Sequence, residues 1–290
     1  MKFGIVPINL HKFTDPAVLI PFVQRAEALG YESVWTAEHV IIPKSYTSVY
    51  PYNPSGKLPF PADAAIIDPL VALTFIASAT TRLRLGTGVN ILPQMSPLYL
   101  AKWASSLDHL SRGRFMLGVG IGWLREEFEA IGVPFAKRGK RADEYLQALK
   151  AVWSGEEVHY QGEFVHWHGF MMRPRPAQPG GVPLIIGGIS PAAIRRTVRY
   201  GDGWYVVAKD PDEYRDRMRA LAEECSRQGR NIEELEITAY WNYYREGIES
   251  LSVYQDLGIH RLLINMDALR ESNITIALER FAENVVAKHG

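Results

Sequence analysis

The chain has 290 residues, 47% of them hydrophobic, and its 32 basic residues are matched by 32 acidic ones. That length suits one large domain with a sizeable core. The zero net charge gives no electrostatic reason to bind nucleic acid or an anionic membrane surface. The single cysteine, Cys225, rules out an intrachain disulfide and fits a reducing, cytoplasmic setting. The opening "MKFGIVPINL" is too short an apolar run for a signal peptide and reads as a strand. No stretch approaches the ~20 apolar residues of a membrane span.

Strands and helices alternate along the chain. Lys2 to Val6 is the first strand candidate. A helix follows, with Asp15 as cap, Pro16 at its first position and Gly30 past its end. Its apolar face is Leu19, Phe22, Val23, Ala26 and Leu29. Ser33 to Thr36 is the second strand. A long proline-rich loop precedes a helix that Asp68 and Pro69 start and that runs through Ala79. "RLRLGTGVN" is the third strand, Pro97 to Leu110 a helix, and "GRFMLGVG" the fourth strand. Lys137 to Trp153 is helical, with Leu146, Leu149, Val152 and Trp153 on its apolar face. The second half repeats the rhythm. "VPLIIGG", "GWYVV", "LEITAY" and "RLLIN" are strands. Helices lie between them: one capped by Ser190, one from Pro211 to Gln228 and one through Leu257. A last helix spans Ile274 to Ala287.

This alternation implies an α/β fold with a parallel sheet. Eight strand–helix pairs in one domain over residues 1–290 imply a closed (β/α)8 TIM barrel. Two segments interrupt the rhythm, at about residues 40–67 and 154–181. The second, "HYQGEFVHWHGFMMRP", reads as a β-hairpin. The first follows a strand, so it belongs at the C-terminal face where barrel active sites sit.

Several motifs carry possible chemistry. In "SVWTAEHVIIP", Glu38 and His39 stand where the second strand ends. A barrel scaffold would aim them at the mouth, and a histidine beside a carboxylate suits proton transfer. A strand end with a structural histidine is the competing reading. The glycines of "LGTGVNILP" mark either a plain turn or the close approach of a flat ligand. "GVGIGW" lacks the register and first-strand context of a dinucleotide fingerprint. Its small residues, Gly120 among them, leave room at the mouth, with Trp123 as a wall. In "IIGGISPAAIRRT" a strand ends in Gly187 and Gly188 and Ser190 caps a helix, which makes either an anion site or a glycine turn.

Other motifs read as structural. "HWH" has metal-site spacing but sits in an insertion without further ligands, so packing is preferred. Cys225 lies in line with Tyr214, Met218 and Leu221 and reads as packing. No GxSxG sequence supports an α/β-hydrolase. Arg138 and Arg141 in "FAKRGKRADEYL" belong either to a solvated helix start or to contact with an anionic cofactor tail or a partner subunit.

Taken together, "YESVWTAEHV", "RLRLGTGVNILP", "LDHLSRGRFMLGVGIGWLREEFEAIGVPFAKRGKRADEYL" and "VPLIIGGISPAAIRRTVRYGDGWYV" resemble the bacterial luciferase-like monooxygenase superfamily over nearly the whole chain. The likeness is greatest to its branch of probable coenzyme F420-dependent oxidoreductases; other members use reduced FMN. The resemblance implies a deazaflavin or flavin ring across the barrel mouth, against a non-prolyl cis peptide that maps to Gly88 and Val89. It implies a phosphate on the amides of Gly187, Gly188 and Ile189 with help from Ser190, and Asn90 at the polar edge of the ring. It gives His39 proton transfer or substrate orientation, with Glu38 tuning it.

The expected activity is therefore hydride transfer to or from a small organic substrate. The alternatives are an FMN-dependent monooxygenase and a barrel that binds flavin without catalysis. A metal-dependent hydrolase ranks last. The sugar-phosphate dehydrogenase of that group carries a carboxylate just after strand four. Here that turn reads Gly120, Ile121, Gly122, Trp123, with Glu126 and Glu127 later, which argues against a sugar phosphate. A homodimer is expected from the resemblance.

Overall fold

A computed structural model describes residues 1–266 and 273–290. Its strands are β1 (Lys2–Ile5), β2 (Ser33–Thr36), β3 (Arg84–Thr87), the two-residue β4 (Asn90–Ile91), β5 (Phe115–Gly120), β6 (Val158–Gln161), β7 (His166–Phe170), β8 (Leu184–Gly187), β9 (Gly203–Val206), β10 (Glu236–Tyr240) and β11 (Arg261–Ile264). β6 and β7 form a separate antiparallel hairpin. The others pair in parallel, and the β3–β5 pairing closes the ring, with β4 attached to β5. The (β/α)8 barrel expected from the alternation is present.

The helices that cover it include α1 (Pro16–Ala28), α2 (Pro69–Ala79), α3 (Pro97–Leu110), α4 (Arg125–Ala130), α5 (Arg138–Trp153), α6 (Pro191–Tyr200) and α7 (Pro211–Gln228). Four of them start the same way. Asp15, Asp68, Ser190 and Asp210 each accept a hydrogen bond from an amide of the first turn, and proline follows each of them. Such caps contribute ~1 kcal/mol apiece. On α1, Leu19, Phe22, Val23 and Ala26 are buried, so the apolar stripe read from the sequence faces the sheet.

Three elements differ from the sequence reading. The helix expected through Leu257 is two short ones, α8 (Tyr243–Glu246) and α9 (Leu251–Asp256), because Gly247 adopts φ +67° and ends the first. The last helix, α10 (Ile274–Phe281), passes into a π-helical turn at Ala282–Val286. The helix α4 has no counterpart in the sequence reading.

The barrel interior is layered. Its floor is the Arg261 guanidinium, fully buried, which donates to both oxygens of Glu32 at 2.7 Å, to Glu236 at 3.1 Å and to Thr238 at 2.9 Å. Burial alone would raise the Glu32 carboxyl, but the Arg261 charge and hydrogen bonds hold it below its ordinary value. Above this floor pack Val6, Trp35, Met116, Ile185, Tyr205 and Leu263. These residues fill the interior, and a cavity opens at the C-terminal face.

The basic motif at the start of α5 is structural. Arg141 is buried and donates to the carbonyls of Pro134 and Ala136. Arg138 donates to the Gly122 carbonyl and lies 3.7 Å over the Phe135 ring. Both side chains are engaged within the chain. In the hairpin, His166 and His168 point outward, and Trp167 packs on the core. Among the described residues no cluster of three or more His, Cys, Asp or Glu could hold a metal. Cys225 is buried packing. No helix of the described residues is long and apolar enough to cross a membrane.

Candidate active site

A cavity of about 480 Å³ lies at the C-terminal ends of the strands. Strand ends supply Val6 and Pro7, Ala37, Gly88 and Val89, Gly187 and Gly188, Tyr205 and Val207, Tyr240 and Asn265. The 40–67 insertion folds over it and adds Tyr50, Tyr52, Asn53, Pro59 and Phe60, while Leu10 and His11 come from the loop after β1. This volume and largely apolar lining are those of a small-molecule site.

Asn9 ties these pieces together. Its fully buried side-chain amide donates to the carbonyls of Ala37 and Ile67 and accepts from the Ala37 amide. The loop after β1, the end of β2 and the end of the insertion are thus one unit. The sequence reading gave Asn9 no role.

The Gly88–Val89 peptide is cis and both residues are on the cavity wall. Val89 sits between two glycines. A Cβ on Gly120 would come within 2.7 Å of Val89 Cγ2, and one on Gly187 within 2.8 Å of Cγ1. Gly120, expected among the cofactor-binding residues as one that leaves room at the mouth, leaves that room for Val89, which is on the wall.

Gly187 and Gly188 are on the wall and lead to the N-terminus of α6. Gly188 has φ +106°, a conformation natural to glycine, and the Ser190 hydroxyl caps the helix by accepting from the Ala193 amide. Uncovered backbone with a helix N-terminus behind it favours an anion. The flat wall at Gly88–Val89 and this cradle fit a planar ring with a phosphate-bearing tail.

Glu38 and His39 part company at the end of β2. The His39 Nδ1 lies 3.2 Å from Glu127, and the His39 side chain is only 9% exposed. Glu127 is the first full turn of α4 looking inward. Its Oε1 accepts from the Val40 amide at 2.6 Å and the Ile41 amide at 3.3 Å, and its Oε2 from Gln94. Burial pushes the Glu127 carboxyl up, but His39 and these donors bring it below its ordinary value. Glu127, not Glu38, is the histidine's carboxylate partner. The ring of His39 also meets Phe60 and Trp123 edge-on, at 6.5 and 6.1 Å. Phe60 is on the cavity wall, so His39 stands one ring behind it.

Glu38 turns the other way. Its Oε2 accepts from the Ile91 amide at 2.9 Å. Burial, with the nearby charges of Asp68 and Glu127, pushes its acid up to about 8. Asn90, expected at a ring edge, is fully buried beside Glu38, where its side chain works against the rise of that acid.

Glu126, next to Glu127, holds the insertion at a second point. Its carboxylate accepts from the amides and hydroxyls of Thr47 and Ser48. Burial would raise this acid, but those donors take it down to about 2. The signal for Glu127 was present in "GWLREEFEA": an acid between Leu124 and Phe128, on the apolar side of a helix, needs an internal partner.

Residues 3–245 match the family model described as luciferase-like monooxygenase. An uncharacterised protein of Mycobacterium tuberculosis is 34% identical over 285 residues, covering 95% of this chain and 96% of its own. The F420-dependent glucose-6-phosphate dehydrogenase of Kineococcus radiotolerans is 30% identical over 230 residues, 77% of this chain and 62% of its own. The structure of the coenzyme F420-dependent tetrahydromethanopterin reductase of Methanopyrus kandleri superposes with a TM-score of 0.78 at 16% identity, over 100% of this chain and 99% of that one. At that identity the likeness is one of fold.

Proposed function

The chain belongs to the luciferase-like monooxygenase family, and we propose that it is an oxidoreductase using coenzyme F420 to move a hydride to or from a small organic molecule. The observation that carries this reading is the meeting, on one cavity, of the Gly88–Val89 wall and the Gly187–Gly188 cradle at the start of α6. The F420-dependent relative supports the choice of cofactor. The bound coenzyme would supply the hydride chemistry.

The chain's own residues do the rest. The Gly187, Gly188 and Ile189 backbone with Ser190 binds the phosphate, and Gly88 and Val89 support the ring. His39 holds or accepts the proton that accompanies the hydride. Its Nδ1 is fixed by Glu127, which leaves Nε2 for the exchange. Displacement of Phe60 brings the imidazole to the substrate, and closure of the insertion excludes water.

A second reading follows from the family description itself: an FMN-dependent monooxygenase that uses dioxygen at the same cavity. Two fluorescence titrations separate them, one with the deazaflavin coenzyme and one with FMN. Tight deazaflavin binding with weak FMN binding supports the first reading. The reverse supports oxygen chemistry, and binding of neither overturns both.

The reading includes a homodimer. α2 has no charged residue, yet Val71 and Phe75 on it are 62% and 45% exposed. Tyr99, Trp103 and Leu110 extend this apolar surface along the neighbouring α3. A helix that is apolar on its outer as well as its inner face is one that packs on both.

A further inference from the structure

Among the described residues, the cavity wall carries no Lys, Arg, Asp or Glu. Lys57 donates to the Tyr46 carbonyl, and Arg217 pairs with Glu213 on α7 and donates to the Ile189 carbonyl beside the cradle. The wall's polar groups are the phenols of Tyr50, Tyr52, Tyr205 and Tyr240 and the side chains of His11 and two asparagines. Burial pushes Tyr50 up to about 12 and raises the other three phenols, so all remain un-ionised donors at neutral pH. Away from the cradle, which the coenzyme phosphate takes on the proposed function, an anionic substrate would leave water without meeting a fixed positive charge among the described wall residues, which is costly.

Among the described wall residues, His11 is the one whose side chain type exchanges protons near neutrality. The sequence reading passed over it. Its backbone has φ +54° and is held on both sides. Its amide donates to the Ala65 carbonyl at 3.4 Å, and its carbonyl accepts from the Thr14 hydroxyl at 2.7 Å. A non-glycine residue in this conformation is uncommon and is kept where the surroundings enforce it. The His11 ring meets Phe60 edge-on at 6.2 Å, so Phe60 stands between His11 in the cavity and His39 behind it.

We propose that the substrate is an uncharged, mainly apolar molecule with one hydrogen-bonding group, a carbonyl or hydroxyl, and that His11 contacts that group. This rests on the reading of the cavity as the reaction site. It sets the protein apart from a sugar-phosphate enzyme such as its Kineococcus relative is named to be.

The test uses saturation-transfer NMR with three probes of one ring size: 4-methylacetophenone, 4-acetylbenzoate and 1,4-dimethylbenzene. They are titrated against the coenzyme-loaded protein and, in parallel, the coenzyme-free protein, with coenzyme binding followed by its fluorescence. The neutral ketone is expected to bind at least about tenfold more tightly than the carboxylate, since the latter buries an unpaired charge. His11→Asn, which tolerates the same backbone conformation, is expected to weaken the ketone by about tenfold. It should leave dimethylbenzene and coenzyme affinity unchanged.

Equal or tighter binding of the carboxylate overturns the proposal, as does failure of the neutral ketone to bind. A His11→Asn effect as large on dimethylbenzene as on the ketone overturns the contact, because a structural defect would weaken both. Loss of coenzyme binding alone counts against the F420 reading, while the probe comparison in coenzyme-free protein with inorganic phosphate saturating the cradle still decides the substrate class.

Discussion

Replacing Glu38 by glutamine should alter how stability depends on pH. The acid has its ordinary value of 4.5 in the unfolded chain and is pushed up to about 8 in the folded protein, mainly by burial. Below pH 4.5 both states are protonated and the site costs nothing. Between 4.5 and 8 the unfolded chain releases its proton and the folded one keeps it, so stability falls as pH rises. At ~1.36 kcal/mol per pH unit, the wild type loses at most roughly 5 kcal/mol through Glu38 across that window. Glutamine has the same shape, its carbonyl still accepts from the Ile91 amide, and it does not titrate.

The assay is urea denaturation of coenzyme-free wild type and Glu38→Gln from pH 5 to pH 9. His260, lowered mainly by burial, adds stability as pH rises through its ordinary 6.5, but equally in both proteins. The difference between them isolates Glu38. The variant should match the wild type near pH 5 and exceed it by several kcal/mol near pH 8. Parallel pH profiles for the two proteins would refute the assignment of a buried, protonated acid at this position.

Four further outcomes follow from the site and the surface. His39→Ala should cut turnover by ~10²–10⁴-fold with little change in cofactor affinity; full turnover removes its proton role. Glu127→Gln keeps an acceptor but loses the charge, weakening the hold on His39 and the insertion by ~1–2 kcal/mol. Hydrogen exchange at the Val40 and Ile41 amides should rise accordingly, and unchanged protection would deny the tether. Gly188→Ala forces a side chain into φ +106°, with its Cβ 3.2 Å from that of Ala193. At ~1–3 kcal/mol of backbone strain it should lower the melting temperature and loosen the cofactor phosphate, and unaltered cofactor affinity would move the phosphate elsewhere. Trp103→Glu, on the exposed face of α3, should give a monomer by light scattering, and an unchanged mass would place the partner on another surface.

The fold was legible because its signals are local. Asp-Pro and Ser-Pro starts, period-two and period-3.6 apolar patterns and glycine stops agree with one another from β1 to α7. α8 and α9 were misjudged because one glycine, Gly247, takes a positive φ that composition does not announce. The glycines of the site were legible as glycines, but not in their duties. Gly120 and Gly187 both yield to Val89, a relation between three strands that no single motif contains. His39 was found because it ends a strand. Its partner was misassigned to Glu38, since adjacent strand-end residues point to opposite sides. Glu127 lies 88 positions away and reaches His39 only once α4 folds across the insertion. His11 was overlooked for a related reason: its place on the wall depends on contacts with Ala65 and Phe60, far along the chain.

Helix α4 fixes which part of the cover can move. Glu127 grips residues 40 and 41 and Glu126 grips 47 and 48, so the first stretch of the insertion rides on the helix as a rigid sill. At its far end, Ala65, Ile66 and Ile67 are bonded to His11, Leu10 and Asn9. Between these two hems lies the tip that carries Tyr50, Tyr52, Pro59 and Phe60, pinned to the sill where Lys57 and Leu58 donate to Tyr46. On the proposed function, substrate entry would part a flap of aromatic rings and leave both hems in place. Opening there would unpack Phe60 from His11 and His39 together, so that admission of a substrate and exposure of both imidazoles would be a single event.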